Sequence, residues 1–350
     1  MVELTFDVDD DRLARVAWGR LAEPCDLHAG ALVAALGPSD ALRWVLRPGE
    51  RPPRSPWGTT VWERARARWV PRMPTVDPGR EIAGIERLGG SLLVPGDECW
   101  PDRFADLDAA APHCLWVRGD PALLLGSAVS VVGARASTGY GEHVAGELSA
   151  SLASSGTVVV SGGAHGIDAV AHRTALAVGG GTVAVMAGGL DRFYPAGNSA
   201  LLERVAREGV VVAEVGPGSA PSRSRFLTRN RLIAALGGVC VVVEAGWRSG
   251  TLSTAMHAAR LLRPVGAVPG PVTSAASAGC HRLIREGVAV CVTDAAEVRE
   301  LLGARGRTCR SSRRSGGRAT CRPVSHVPST RSCGRRCRCG PVAPWTRSPG

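Results

Sequence analysis

Between Ser127 and Gly270 the chain repeats one pattern: a short run of valine and alanine, a turn of small or polar residues, then an amphipathic stretch. The runs read as strands over 128–133, 157–162, 182–188, 210–215, 239–245 and 265–270, with a last one at 288–293. The stretches between read as helices over 139–154, 167–178, 198–208, 229–236 and 251–262. Strands apolar along their whole length are buried on both faces, as in parallel sheets covered by helices. A repeat of roughly thirty residues suits βαβ units. The expected fold is therefore α/β, a doubly wound, mainly parallel sheet. In such sheets ligands bind beyond the carboxyl ends of the strands. Five turn segments, VVGARASTGYG, VSGGAHGID, AVMAGGLDRFYP, FLTRNR and VVVEAGWRSGT, should then converge on one site.

Charge has to be read by region. The net charge is +11, yet the segment from Gly303 to Gly350 carries twelve arginines and no acid. The remainder balances thirty arginines against thirty-one acids, so no global basic field argues for a polyanion and only local clusters can. Lysine is absent throughout, which weakens each arginine as a signal. The amino terminus lacks a basic region followed by an apolar one. No apolar run is long enough to span a bilayer. Six cysteines scattered through the body read as reduced and mostly buried, and the cytoplasm is the expected compartment.

Four regions are expected. Residues 1–46 form a small helical domain, and 47–81, rich in Pro, Arg and Trp, reads as a linker with one amphipathic helix. Residues 82–302 hold the sheet. Residues 303–350 lack apolar periodicity and should be disordered; the abrupt change of composition also fits out-of-frame translation. The tail cysteines Cys333, Cys337 and Cys339 lack the paired spacing of a zinc site, so no metal is expected.

Within the turns, Arg135 stands at the end of the first strand, where a guanidinium can grip a phosphate bidentately or pair with a carboxylate. The SGGAHGID turn, with Ser161, Gly162, Gly163 and Gly166, could aim backbone N–H groups and a helix terminus at an anion. No acid closes the second strand to hold a ribose, so a nicotinamide cofactor is not expected, nor is any other cofactor. His165 and His172 have no partner set for catalysis and read as structural. The densest basic feature is SRSRFLTRNR, where Arg223, Arg225, Arg229 and Arg231 surround Phe226 and Asn230-Arg231 lead into an apolar helix. Cations interleaved with an aromatic ring suit a single strand, the guanidiniums holding phosphates while the ring stacks a base; a solvated charge run is the bland alternative. Glu244 ends a buried strand, where a carboxylate could orient arginine side chains or act as a general base; orientation is the favoured expectation.

Together these motifs resemble the bacterial DNA-processing protein A family, also called Smf. VVGAR, SGGAHGIDAVAH, GGTVAVMAGGLDRFYP, FLTRNRLIA, VVVEAGWRSGTLSTAMHAAR, VPGPV and GCHRLIREG follow one another in the family's order from about Leu92 to Val292. The resemblance implies an extended Rossmann domain behind a small helical one. It also implies a non-catalytic protein that binds single-stranded DNA, protects it and loads a RecA-type recombinase onto it during natural transformation, and that forms a homodimer. The family's DNA contacts map to Arg135, and to Arg223 with Phe226. Leu227 replaces the proline of the family's F-P-x-R-N-R, Ala196 stands where many relatives are basic, and Trp100-Pro101 replaces Tyr-Pro. The winged-helix domain that ends many members has no counterpart in the Arg/Cys tail. The competing function is a nucleotide-processing phosphoribohydrolase, whose PGGxGTxxE motif is out of order here because Glu244 precedes its turn.

Overall fold

The computed structural model describes residues 6–47, 49–50 and 57–306. Among these residues, nine strands form one sheet: β1 (Gly90–Leu93), β2 (Leu115–Gly119), β3 (Ala128–Gly133), β4 (Val158–Ser161), β5 (Thr182–Met186), β6 (Val210–Ala213), β7 (Val239–Val243), β8 (Val265–Ala267) and β9 (Val290–Cys291). Their order is β1-β2-β6-β5-β4-β3-β7-β8-β9. The strands from β3 onward are parallel, while β1 and β2 add an antiparallel edge that the sequence pattern did not reveal. From β3 the chain winds outward through β4, β5 and β6, then returns to lay β7 against the other side of β3. That reversal splays the loops after β3 and β7 apart and opens a crevice between them.

Among the described residues, twelve α-helices accompany the sheet. Five precede it: α1 (Asp11–Leu21), α2 (Leu27–Leu36), α3 (Pro38–Leu46), α4 (Thr59–Trp69) and α5 (Pro78–Glu86). The others are α6 (Gly139–Ser154), α7 (Ile167–Ala177), α8 (Ser199–Glu208), α9 (Arg223–Leu236), α10 (Thr251–Arg260), α11 (Ala278–Arg285) and α12 (Ala295–Gly306). Alternate side chains of each central strand serve opposite faces. Val129, Val131, Val159 and Val241 meet α6, α7 and α12 through Leu148, Leu152, Ala171 and Val298. Val132, Val160, Val185 and Val242 meet α9, α10 and α11 through Leu232, Leu236, Ala258 and Leu283. Continuous valine runs follow, because neither face sees water.

Two expectations need correcting. The segment 47–81 is no mere linker: Trp62, Ala65, Trp69, Met73 and Val76 complete the core begun by Trp18, Leu32 and Trp44 of the first three helices. Trp18 and Trp69 meet edge to face at 5.2 Å, and each indole N–H has an acceptor, Pro38 O and Asp26 Oδ2. The chain's few aromatics are thus concentrated where a small helical body most needs apolar area. FLTRNR is no turn either. It lies within α9, which starts six residues before the expected 229, capped by the Ser222 hydroxyl on the Arg225 N–H. The last helix continues to Gly306, past the expected boundary at 302. The Arg/Cys tail beyond it lies outside the described residues.

Polar contacts lock the helical body to the sheet. Arg12 donates to both carboxylate oxygens of Asp97 and to Leu92 O, and Arg225 on α9 grips Glu23 with two nitrogens.

Candidate nucleic-acid interface

A groove of about 1120 Å³ occupies the crevice at the β3–β7 reversal. It exceeds the roughly 300–1,000 Å³ typical of small-molecule pockets. One wall is the loop after β3, from Gly133 to Ala136; the opposite wall is the turn from Gly246 into α10; α9 forms the third side.

The β3 loop is held from below. A side chain at Gly166, where φ is +72°, would strike the carbonyls of Ala134 and Arg135 at 2.3 and 2.6 Å, so glycine lets the start of α7 approach. The Ile167 N–H donates to Ala134 O. From the far side Glu244, buried and in a left-handed conformation with φ +55°, accepts from the Thr138 N–H at 2.9 Å and from its hydroxyl. Thr138 Oγ1 also accepts from the Gly141 N–H and caps α6. Glu244 therefore positions the loop through Thr138 and orients no arginine, contrary to expectation. A left-handed, non-glycine residue at a strand end is costly, about 1–3 kcal/mol, and persists where surrounding bonds over-determine it.

Arg229 forms the floor. Its guanidinium donates to Gly162 O at 2.8 Å and to Val185 O, tying the ends of β4 and β5 together. Burial pushes it down to about 10, with the nearby Asp168 opposing that shift. Asp168 accepts from the N–H groups of Gly162 at 3.1 Å and Ala164 at 3.4 Å. Burial raises its pKa against the pull of Arg229.

Above this floor stand Arg135, Arg223 and Arg248, all exposed and all lining the groove. None has a hydrogen bond or ion pair among the described residues. Many other arginines do, including Arg12, Arg43, Arg118, Arg231 and Arg263. Phe226, half-buried, lines the same groove, with the Arg135 guanidinium 5.2 Å and the Arg229 guanidinium 5.6 Å from its ring centre. The Tyr194 ring is 5.7 Å away. Among the described residues Asp168 is the one acid lining the groove, and its carboxylate is already engaged. Unpaired guanidiniums around an aromatic ring can hold backbone phosphates while a base stacks.

The expected site residues divide sharply. Arg135, Arg223, Phe226, Arg229 and Asn230 meet at the groove. Arg231 does not: it is 2% exposed, forms a bidentate pair with Glu214 at 2.6 and 2.8 Å, and donates to Ala110 O. Ser161 is buried and donates to Val131 O. The Gly162 N–H is taken by Asp168, and Gly163 O accepts from Asn198. Within the SGGAHGID turn the Gly162 and Ala164 N–H groups are thus spent on Asp168, while Gly166 supports the Arg135 loop. His172 is buried, with Nδ1 against Thr182 Oγ1 at 2.8 Å; since Thr182 donates to Val159 O, the ring nitrogen donates to Thr182.

Two groove residues were missed. Arg248 stands in the GWRSGT turn at the end of β7, and that position beside the reversal was signal enough. Tyr194 had no comparable signal, because only folding brings its loop over Phe226. Among the described residues, no cluster of three or more His, Cys, Asp or Glu could hold a metal, and no helix is long and apolar enough to cross a membrane.

Residues 91–303 match the family described as DNA recombination-mediator protein A. The chain is 46% identical over 303 residues to a protein of Mycobacterium tuberculosis named putative DNA processing protein DprA, covering 82% of this chain and 75% of that one. It is 40% identical over 191 residues to the DNA processing protein DprA of Streptococcus pneumoniae, covering 55% of this chain and 67% of that one. The X-ray structure of DprA from Streptococcus pneumoniae superposes with a TM-score of 0.66 at 29% identity, over 84% of this chain and 98% of that one. DNA processing protein A from Helicobacter pylori, whose structure addresses a single-stranded DNA binding mode, gives 0.56 at 29% identity, over 63% and 96%.

Proposed function

The chain belongs to the DNA recombination-mediator protein A family, and on that premise we propose that it binds single-stranded DNA in the groove at the β3–β7 reversal. The observation that carries this reading is the trio Arg135, Arg223 and Arg248, unpaired among the described residues and lining one groove with Phe226, over which Arg135 sits. These guanidiniums face solvent with their donors uncommitted, and each can grip a phosphate bidentately. Phe226 offers a sequence-tolerant stacking surface, so little base preference is expected. The groove favours a flexible strand, whose bases can turn inward, over a duplex whose bases are already stacked.

The role is binding and handing on, without catalysis. The bound strand is protected and passed to a RecA-type recombinase in the cytoplasm during transformation, and the protein acts as a homodimer. These steps rest on the family and on the binding site together. Among the described residues Asp168 is the groove's one carboxylate, and it is spent on two backbone N–H groups.

The test is a salt titration with single-stranded and duplex oligonucleotides of equal length. Three phosphates neutralised should make log K for the single strand fall with log salt at a slope of about −2. Equal affinity for duplex, in a chain ending at Gly306, would overturn the reading.

A further inference from the structure

The groove does not end at Arg248. Its neighbour Trp247 is the one exposed tryptophan among the described residues, with 52% of its surface open to solvent. The turn that carries it is firmly built. Thr251 Oγ1 donates to Gly133 O at 2.8 Å, tying this turn to the strand end from which the Arg135 loop starts. The Ser249 N–H donates to Gly246 O, and the Gly279 N–H at the start of α11 donates to Ala245 O at 2.7 Å. Gly279 is required there, because a side chain would strike Ala245 O at 2.6 Å. Across α11, Arg282 holds its guanidinium 5.2 Å from the centre of the Trp247 ring and is itself held by Glu286 at 2.9 Å. Arg285, exposed on the same short helix, adds a second positive charge nearby. Ala275 and Ala276, which precede α11, line the groove as well, so the groove opens towards this helix.

We infer that Trp247, backed by Arg282, is a second stacking station for a base of the same strand, placed where that strand leaves the groove past Arg248. The inference rests on the proposed single-strand reading and extends it. The large indole of a tryptophan left half-exposed is an unfavourable surface in water. A base laid on it removes that apolar area. The guanidinium of Arg282, fixed by Glu286, steadies the indole and leaves a ring face for the base. The strand would run from Phe226 through Arg248 to Trp247, a basic residue standing between two aromatic ones.

The experiment uses the full chain and oligo-dT strands from about 4 to 16 nucleotides, the span of single-strand site sizes. Trp247→Ala should weaken binding of the long strands roughly 5- to 150-fold, the equivalent of one stacked base, with the salt slope unchanged. It should leave the shortest strands nearly unaffected. Trp247→Phe should recover most of the loss and remove the part of the fluorescence quenching that DNA causes at the exposed indole. Arg248→Ala, by contrast, should reduce the slope by about 0.7. If Trp247→Ala and Trp247→Phe bind every length as the unaltered chain does, while Arg135→Ala weakens binding, this station is wrong and the groove stands. If the unaltered chain fails to prefer single strands, the reading beneath it falls as well.

Discussion

Replacing Arg231 with methionine separates the arginines that hold the fold from those that face the groove. Arg231 donates to both oxygens of Glu214 at 2.6 and 2.8 Å, to Ala110 O at 2.9 Å and to Thr228 O at 3.2 Å. Methionine fills most of the volume but strands the Glu214 carboxylate, whose side chain is 11% exposed. Breaking a buried pair from one side costs about 3–5 kcal/mol, because a charge is left uncompensated. At about 2–4 °C per kcal/mol, the melting temperature should drop by about 6–20 °C. Removing both partners, Arg231→Met with Glu214→Leu, should restore most of the loss, since an apolar replacement of a buried pair is often neutral or better. Urea denaturation of the three chains gives the free energies, and DNA titration below the lowered transition gives the salt slope. The slope should be that of the unaltered chain. A variant of normal stability whose slope falls by about 0.7 would show that Arg231 reaches a phosphate, and would refute this division.

Three further outcomes are expected. Phe226→Ala and Arg135→Ala should fail to add in single-strand affinity by about 0.5–1 kcal/mol, because the guanidinium rests over the ring; a strictly additive double-mutant cycle would mean that the contact plays no part in binding. Glu244→Ala should destabilise the chain by about 1.5–3 kcal/mol and speed hydrogen exchange at the Thr138 amide; unchanged protection there would show that the loop is held by something else. His172 is held neutral by burial and by the charge of Arg229, its pKa pushed down to about 3, whereas the unfolded chain takes up that proton near pH ~6.5. Stability that His172 contributes above that pH should be lost as pH falls towards 3, at up to about 1.4 kcal/mol per pH unit, and His172→Gln should flatten the dependence; identical profiles would exclude it.

The sheet was legible in the sequence because burial on both faces leaves no choice of side chain. Strands β3 to β8 fall within the valine and alanine runs; β3 keeps its expected end, and β4 to β8 each stop short of theirs, where the loops diverge. The antiparallel pair β1 and β2 was not legible: β1 spans four residues and pairs only by virtue of β2 lying beside β6. The tryptophan core of the helical body was hidden in a segment whose proline and arginine content mimics a linker.

The site shows the same limit more sharply. Composition and order already marked Arg135, Arg223 and Phe226, and the family pattern agreed. What the sequence could not rank was one arginine against another in SRSRFLTRNR. On a helix, residues three, four and seven apart share a face, and Arg223, Phe226, Leu227 and Asn230 do face the groove. Arg225 turns instead to Glu23, and Arg231 to Glu214. Reading the segment as a turn concealed that periodicity. Side-chain type and local pattern thus determined the layers of the fold and the edge at which ligands must bind. Whether a given guanidinium is spent or free depended on which carboxylates and carbonyls distant segments brought within 3 Å or so, and only the tertiary structure decides that.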